Sequence, residues 1–173
     1  MKQKIPFLIA ITGMIAGVFI SILFGVNESI FKDKIAKDLK LNKKIMSIMD
    51  PIKKEVKINK EKSKNWRYYQ RFHFHSTAIS TMSLSCLILL SFSLAPGLIK
   101  LVASYMISFG GFLYPFVWLF SAMYGPIMGR SEAKESFALF GYMGGVFLVG
   151  LIVALVLLIK YPIRWQINDK MIS

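Results

Sequence analysis

The sequence predicts an all-α integral membrane protein in which four transmembrane helices form a bundle and an amphipathic helical extension follows the first span. Two observations support this fold class. The chain of 173 residues is 55% apolar, above the roughly 45–50% of soluble domains, and one small core cannot bury that much apolar surface. The apolar residues also gather into four runs, each near the ~20 residues that a helix needs to cross a bilayer. We expect a single membrane domain over residues 1–173.

The four predicted spans cover residues 6–26, 78–99, 101–124 and 136–159. Lys2 and Lys4 precede the first run, as in a secretory signal. The run itself is longer than the roughly 7–15 residues of a signal core, so we interpret it as a retained span. Before the third span, Pro96 and Gly97 predict a tight antiparallel connection.

The long loop of residues 27–72 is basic and amphipathic, with 14 of the 22 Lys and Arg and 6 of the 9 acidic residues. Beside a bilayer, such a segment favours contact with anionic lipid headgroups, and it contains no nucleic-acid-binding motif. A period close to 3.6 residues predicts a helix that continues out of the first span and ends at Pro51. Its apolar positions are Phe31, Ile35, Leu39, Met46 and Met49.

The rest of this loop divides into two parts. Residues 52–64 are rich in Lys and Glu and predict a solvated connector, with a docking surface for a partner as the alternative. Residues 65–72 alternate aromatic and cationic side chains, which is typical of a segment at headgroup depth.

Small residues predict how the spans pack, because membrane helices associate through close contact at such positions. They serve either a seam within the bundle or a homodimer face. Pro115 predicts a kink near Ser108–Gly111. The small residues are Gly13, Gly17, Ser21 and Gly25 in the first span, Ser104, Ser108 and Gly111 in the third, and Gly141, Gly145 and Gly150 in the fourth.

The second span carries a stripe of hydroxyl side chains in its first half. Hydroxyls inside a membrane helix can bond to the carbonyl four residues earlier, so the stripe is either tolerated polarity or the lining of a path. Its members are Ser76, Thr77, Ser80, Thr81, Ser83 and Ser85.

The candidate site lies at the entrance of the second span, where His73 and His75 are the only histidines. Ionisable residues at this depth favour a functional hypothesis, here a cofactor site for haem, copper, another metal or a quinone. In a helix, residues two apart point about 200° from each other, so both can bind one metal only if the entrance is not helical. The loop between spans three and four lies on the same side and supplies Glu132 and Glu135. We therefore name His73, His75 and Glu135 as candidate metal ligands.

Simpler interpretations of these residues stay open. Ser131 is suited to be the N-cap of a helix whose first turn holds Glu132 and Glu135, and both histidines suit ordinary interface polarity. A soft-metal set of His75, Met82 and Cys86 is excluded, because seven residues of helix separate the first two by about 10 Å. Cys86 is the only cysteine, so no intrachain disulfide forms.

An even number of spans leaves both termini on one side of the membrane. The loop side holds sixteen Lys and Arg, including Arg130 and Lys134, against six on the other side, so the positive-inside rule places residues 27–72 in the cytoplasm. The Lys-bearing N-terminus favours the opposite orientation. The six are Lys2, Lys4, Lys100, Lys160, Arg164 and Lys170. We expect the membrane to be the bacterial inner membrane.

Three motifs together resemble an uncharacterised family of small bacterial four-span membrane proteins with a His-x-His at the entrance of the second span. The resemblance covers most of the chain and implies no known activity. His-x-His at a span entrance is also similar to small membrane proteins related to haem-copper oxidase subunits, although their nearby glycine has no counterpart in residues 76–83. The motifs are Arg71-Phe72-His73-Phe74-His75, Gly110-Gly111-Phe112-Leu113-Tyr114-Pro115 with Trp118, and Ala133-Lys134-Glu135-Ser136.

No nucleotide-binding loop, nucleophile elbow, zinc-protease motif or dinucleotide fingerprint occurs in the sequence, so catalysis is not favoured. Three functions remain. The first is an accessory or assembly subunit that contacts other membrane subunits or a second copy of the chain. The second is a redox, metal, haem or quinone protein that uses His73 and His75. The third is a small transporter or channel along the hydroxyl stripe.

Overall fold

The computed structural model describes residues 4–164, and every named secondary-structure element in this range is a helix. One isolated backbone bridge, between Ser93 and Ile163, ties the end of the described chain to the turn between the second and third spans. The helices are α1 (Lys4–Asn27), α2 (Ser29–Leu39), α3 (Lys43–Met46), α4 (Pro51–Phe92), α5 (Gly97–Leu113), α6 (Phe116–Met128), α7 (Arg130–Ser136) and α8 (Ala138–Lys160). Lys2 and Lys170, used in the charge count, lie outside the described residues.

Four helical stretches are long and apolar enough to cross a membrane, which confirms the predicted number of spans within residues 4–164. They are α1, the apolar part of α4, α5 together with α6, and α8. In α1 the buried positions are few and small, while large apolar side chains such as Phe19 and Ile22 are exposed. A helix with such an outer surface belongs in lipid. The fold is therefore that of an integral membrane protein.

Residues 52–64 are not a connector, contrary to the sequence-based prediction, and Pro51 begins a helix instead of ending one. Proline suits the first helical position because its missing N–H has no partner there in any case. Asp50 caps this end by accepting hydrogen bonds from the backbone N–H groups of Ile52 and Lys53 at 2.9 and 3.1 Å. The 42 residues of α4 make a helix of about 63 Å, roughly twice the thickness of a hydrocarbon core.

The amphipathic extension forms as two short helices, α2 and α3, that fold back on the bundle. Ile35, Leu39 and Ile45 are buried and join Tyr68, Tyr69 and Ala122 in a core of their own. Met49 belongs to no such core, because 95% of its surface is exposed. We call the assembly of α2, α3, the first part of α4 (residues 51–64) and α7 the loop-side cap.

The third span is interrupted at the proline itself and not at Ser108–Gly111, where the kink was predicted. Helix α5 runs unbroken to Leu113, and the N–H of Tyr114 still donates to the carbonyl of Gly110 at 3.0 Å. Pro115, which has no N–H to donate, then stands before the first residue of α6. The helix is therefore interrupted where Pro115 lacks the backbone N–H that would continue its hydrogen bonding.

Close packing at small residues joins α1 to α4 and α5 to α8. A Cβ atom on Gly17 would lie 2.8 Å from the backbone nitrogen of Thr77, and one on Gly110 would lie 2.5 Å from that of Phe147. These glycines form seams within the bundle. Gly25 and Gly145 have no atom within 4 Å of the corresponding position, so these two predicted contacts are absent from the seams.

Candidate functional site at the loop-side interface

His73 faces α1. Its Nδ1–H donates to the carbonyl oxygen of Gly17 at 2.9 Å, and its ring lies 6.4 Å from that of Phe24. Because a carbonyl can only accept, Nδ1 is the donor in this contact. His73 thus helps to join α4 to α1.

His75 faces the junction of α5 and α6 instead. Its Nδ1–H donates to the carbonyl of Arg71 at 2.8 Å, and its ring lies 5.7 Å from Tyr114 and 5.8 Å from Trp118. The entrance of the span is fully helical, so the roughly 200° between residues two apart directs the two histidines to different neighbours.

The acidic partners also lie elsewhere. Glu132 pairs with Lys44 of α3, and the exposed carboxylate of Glu135 forms no hydrogen bond or ion pair within residues 4–164. Across that same range, no three His, Cys, Asp or Glu residues are grouped so that they could hold a metal. The structure therefore does not bring His73, His75 and Glu135 together, and metal or cofactor binding by them stays a prediction.

Ser131 is not the N-cap of α7. The helix begins two residues earlier than predicted, after Gly129, whose φ of 104° is the left-handed conformation that glycine tolerates best. Glu132 does lie in the first turn, as expected, but Glu135 is the sixth residue of the helix and does not.

Five of the six hydroxyls in the stripe of α4 donate to backbone carbonyls. Ser76 donates to Gly13 of α1 at 2.7 Å, and Thr81 donates to Thr77 within α4 at 2.9 Å. Ser76, Ser80 and Ser83 are buried in the seams of the bundle, whereas Thr81 and Ser85 are exposed. The stripe thus serves different surfaces of the helix, and the buried hydroxyl of Ser80 has no hydrogen-bond partner among the described residues.

Several polar contacts between residues distant in sequence hold the loop-side cap to the bundle, and they were not foreseen from the sequence. Nε of Arg130 donates to Glu61 at 2.7 Å, and its Nη1 donates to the hydroxyl of Tyr68 at 3.4 Å. Asn42 donates to the carbonyl of Pro126 at 2.9 Å. A cleft of about 250 Å³ adjoins these groups. The only local sequence pattern that indicates an ion pair here is the four-residue spacing of Lys57 and Glu61, which suits an i,i+4 pair on a helix.

Glu61 lies 31 residues before the end of α4 at Phe92, well beyond the ~20 residues that a helix needs to cross a hydrocarbon core. Burial alone would raise the pKa of its carboxyl group. The hydrogen bond and charge of Arg130, with the charges of Lys57 and Lys64, nevertheless hold that pKa below its ordinary value. Glu61 is therefore an anion that the cap stabilises.

A second group of contacts surrounds the rings of Tyr68 and Trp118, whose centroids are 5.3 Å apart. The guanidinium carbon of Arg71 lies 5.5 and 4.7 Å from these two centroids, and Nζ of Lys134 lies 5.2 and 5.3 Å from them. With His75, they form what we call the cation–aromatic cluster. The cluster joins α4 to α6 and α7. Of the two arginines in the predicted headgroup segment, residues 65–72, it contains Arg71.

Comparisons of the chain with protein-family models, with curated proteins and with solved structures give no match. The resemblance to small four-span bacterial proteins therefore stays an expectation.

Proposed function

We propose that this protein is an accessory or assembly subunit, embedded in the bacterial inner membrane, that binds another membrane protein through the outer part of α4. We call that part, Pro51–Lys64, the α4 arm. The observation that supports the proposal is that the arm and a membrane span belong to one uninterrupted helix, and that the arm exposes apolar side chains.

The arm is fixed to the rest of the protein at its base. Glu61 bonds to Arg130 of α7, and the fully buried Asn65, which directly follows the arm, lies against Gly125 of α6. Ile58 packs against the buried core that includes Ile45 of α3. A surface held in this way loses little conformational entropy when it binds, which favours recognition.

The apolar side chains on the outer face of the arm belong to no buried core within residues 4–164. Ile52 and Val56, one turn apart, expose 77% and 62% of their surface, and Met49 lies just before them. Large apolar residues at water-exposed positions on one helix face are typical of an anchor for a partner's groove. The arm also contains six lysines and two glutamates, so the matching surface is acidic around an apolar groove.

The redox and transport hypotheses gain no comparable support. His73 and His75 face different helices, and the hydroxyls of α4 are bonded to carbonyls or lie on separate surfaces. A conducting path needs polar side chains on several facing helices.

A photo-crosslinking amino acid at Ile52 or Val56 tests the proposal in cells. We expect a discrete crosslink to an integral membrane protein with an acidic extramembrane segment. The same amino acid at Leu41, which is 61% exposed on the cap but lies outside the arm, is the matched control and should not form it. Crosslinks from the arm only to lipid or to a second copy of this chain, or equal crosslinks from Leu41, would overturn the proposal.

An independent measurement concerns cofactors. The protein purified in detergent should contain no stoichiometric metal and show no Soret band. If either is present and is lost in His73→Ala plus His75→Ala, the redox hypothesis replaces the accessory one.

A further inference from the structure

We infer that the cation–aromatic cluster binds the phosphate headgroup of an anionic phospholipid. The site is built by three elements, since Tyr68, Arg71 and His75 come from α4, Trp118 from α6 and Lys134 from α7. This inference is independent of the α4 arm and of any protein partner.

The charges of the cluster are not neutralised by the protein. Elsewhere in the cap, Lys44 pairs with Glu132, and Lys57 and Arg130 pair with Glu61. Arg71 and Lys134, by contrast, form no ion pair with a carboxylate within residues 4–164, and both are exposed. Contact with aromatic faces orients a cation but leaves its charge available to an anion.

The depth of the cluster matches that of lipid headgroups on each helix that contributes to it. Counted from Phe92, the ~20 residues that cross a hydrocarbon core end at His73, two residues from Arg71. Counted from Gly97 through α5 and α6, the same length ends at Phe116, two residues before Trp118. Lys134 lies in α7, immediately before the apolar helix α8 begins.

The residue types suit a phosphate. The planar guanidinium of Arg71 can donate two parallel hydrogen bonds to phosphate oxygens, and the ammonium of Lys134 adds a second positive charge near the same two rings. Tyr and Trp rings are favoured at headgroup level. Basic sites between spans are where anionic headgroups bind, and two unpaired cations disfavour a zwitterionic lipid, whose ammonium group they repel.

The test compares lipid binding by the full chain and its variants in detergent, with native mass spectrometry as the readout and phosphatidylglycerol and phosphatidylcholine as probes. The variant is Arg71→Gln plus Lys134→Gln. The matched control is Lys53→Gln plus Lys60→Gln, which removes two positive charges from exposed positions on the α4 arm, about 27 and 16 Å along the helix from Arg71. Melting temperatures of both variants establish that they fold.

We expect the native protein to retain phosphatidylglycerol over phosphatidylcholine and the cluster variant to lose about thirtyfold in affinity, because each basic residue near a membrane contributes roughly a factor of five. The single variant Arg71→Lys, which retains Lys134, should lose less affinity for phosphatidylglycerol, because it keeps the positive charge and loses only the planar guanidinium group. The control should change by less than about twofold.

Two results would overturn the inference. One is an equal loss of phosphatidylglycerol in the cluster and control variants, which would mean that binding follows net charge alone. The other is displacement of the lipid by millimolar inorganic phosphate, which would identify a soluble phosphate as the ligand. Resistance to that displacement supports the headgroup.

Discussion

Helix α4 forms one seam with α1 and another with α6 beside the loop-side cap, and in both a glycine makes room for a polar side chain of α4. In the first, a Cβ on Gly13 would meet the hydroxyl of Ser80; in the second, a Cβ on Gly125 would meet Oδ1 of Asn65 at 2.7 Å. The steric arrangement is the same. The chemistry differs, because neutral hydroxyls and His73 serve the α1 seam, whereas the Glu61–Arg130 ion pair lies beside the α6 seam.

The difference in chemistry between the two seams indicates which part of α4 is suited to bind other molecules. Charges are costly in a bilayer, so the α1 seam uses groups that bond to backbone carbonyls and leaves little chemistry for a partner. On the loop side we expect water and headgroups to stabilise charge. The protein has exposed lysines and the Glu61–Arg130 pair in the cap, and the cation–aromatic cluster next to it. We therefore expect the first seam to contribute mainly to stability, and the two surfaces proposed for recognition lie beside the second.

The largest expected effect tests the membrane seam. Gly17→Leu places side-chain atoms against the backbone of Thr77, which cannot move without disturbing α4, and should lower the free energy of unfolding by about 3 kcal/mol. Gly25→Leu, in the same helix with open space around it, should change it by less than about 0.5 kcal/mol. Denaturant titration in detergent measures both. Equal losses would mean that α1 does not pack against α4 at Gly17.

The next effect tests the ion pair of the cap. Arg130→Ala leaves the buried carboxylate of Glu61 with Lys57 as its one remaining ion-pair partner among the described residues and should cost about 2 kcal/mol, less than for a fully buried pair because Arg130 is partly exposed. Replacing both partners, with Glu61→Gln plus Arg130→Gln, should cost less than the single change. A larger loss of unfolding free energy in the double variant than in Arg130→Ala would contradict this explanation.

A smaller effect compares the two seams directly. Gly125→Ala should cost about 1 kcal/mol, because its Cβ meets a side-chain oxygen that can move, unlike the backbone at Gly17. Asn65→Ala should remove most of the penalty when the two changes are combined, since neighbouring residues couple. Additive losses would show that the two residues do not touch.

The smallest effect is a dependence on pH. The pKa of Glu61 is lowered in the folded protein, so its contribution is complete above the ordinary value of 4.5 and is lost as the pH falls through the lowered value. Melting temperatures of the native protein and Glu61→Gln should therefore differ at pH 7 and converge near pH 3. A difference that grows on acidification would reverse the sign and contradict the assignment.

The sequence predicted the number of spans, because long apolar runs are a local signal, but the predicted second span, 78–99, runs past the end of α4 at Phe92 and into α5. It missed the α4 arm, since a run of Lys and Glu is equally compatible with a solvated helix and a loop until the cap at Asp50 and the contacts of Glu61 are known. The pair of Glu61 and Arg130 joins residues 69 apart, which no local pattern reveals. The separation of His73 and His75 was foreseen for a helix, but whether the entrance is helical was not.

The rigid continuation of α4 beyond the membrane is the central claim, and a distance measured along this helix tests it directly. Spin labels on cysteines at Val56 and Ile88, both exposed, are introduced after Cys86→Ser removes the native cysteine. A continuous helix places these positions about 48 Å apart with a narrow distribution. A broad distribution centred well below that distance would show that residues 52–64 form a flexible connector, and the arm on which the proposed function depends would not exist.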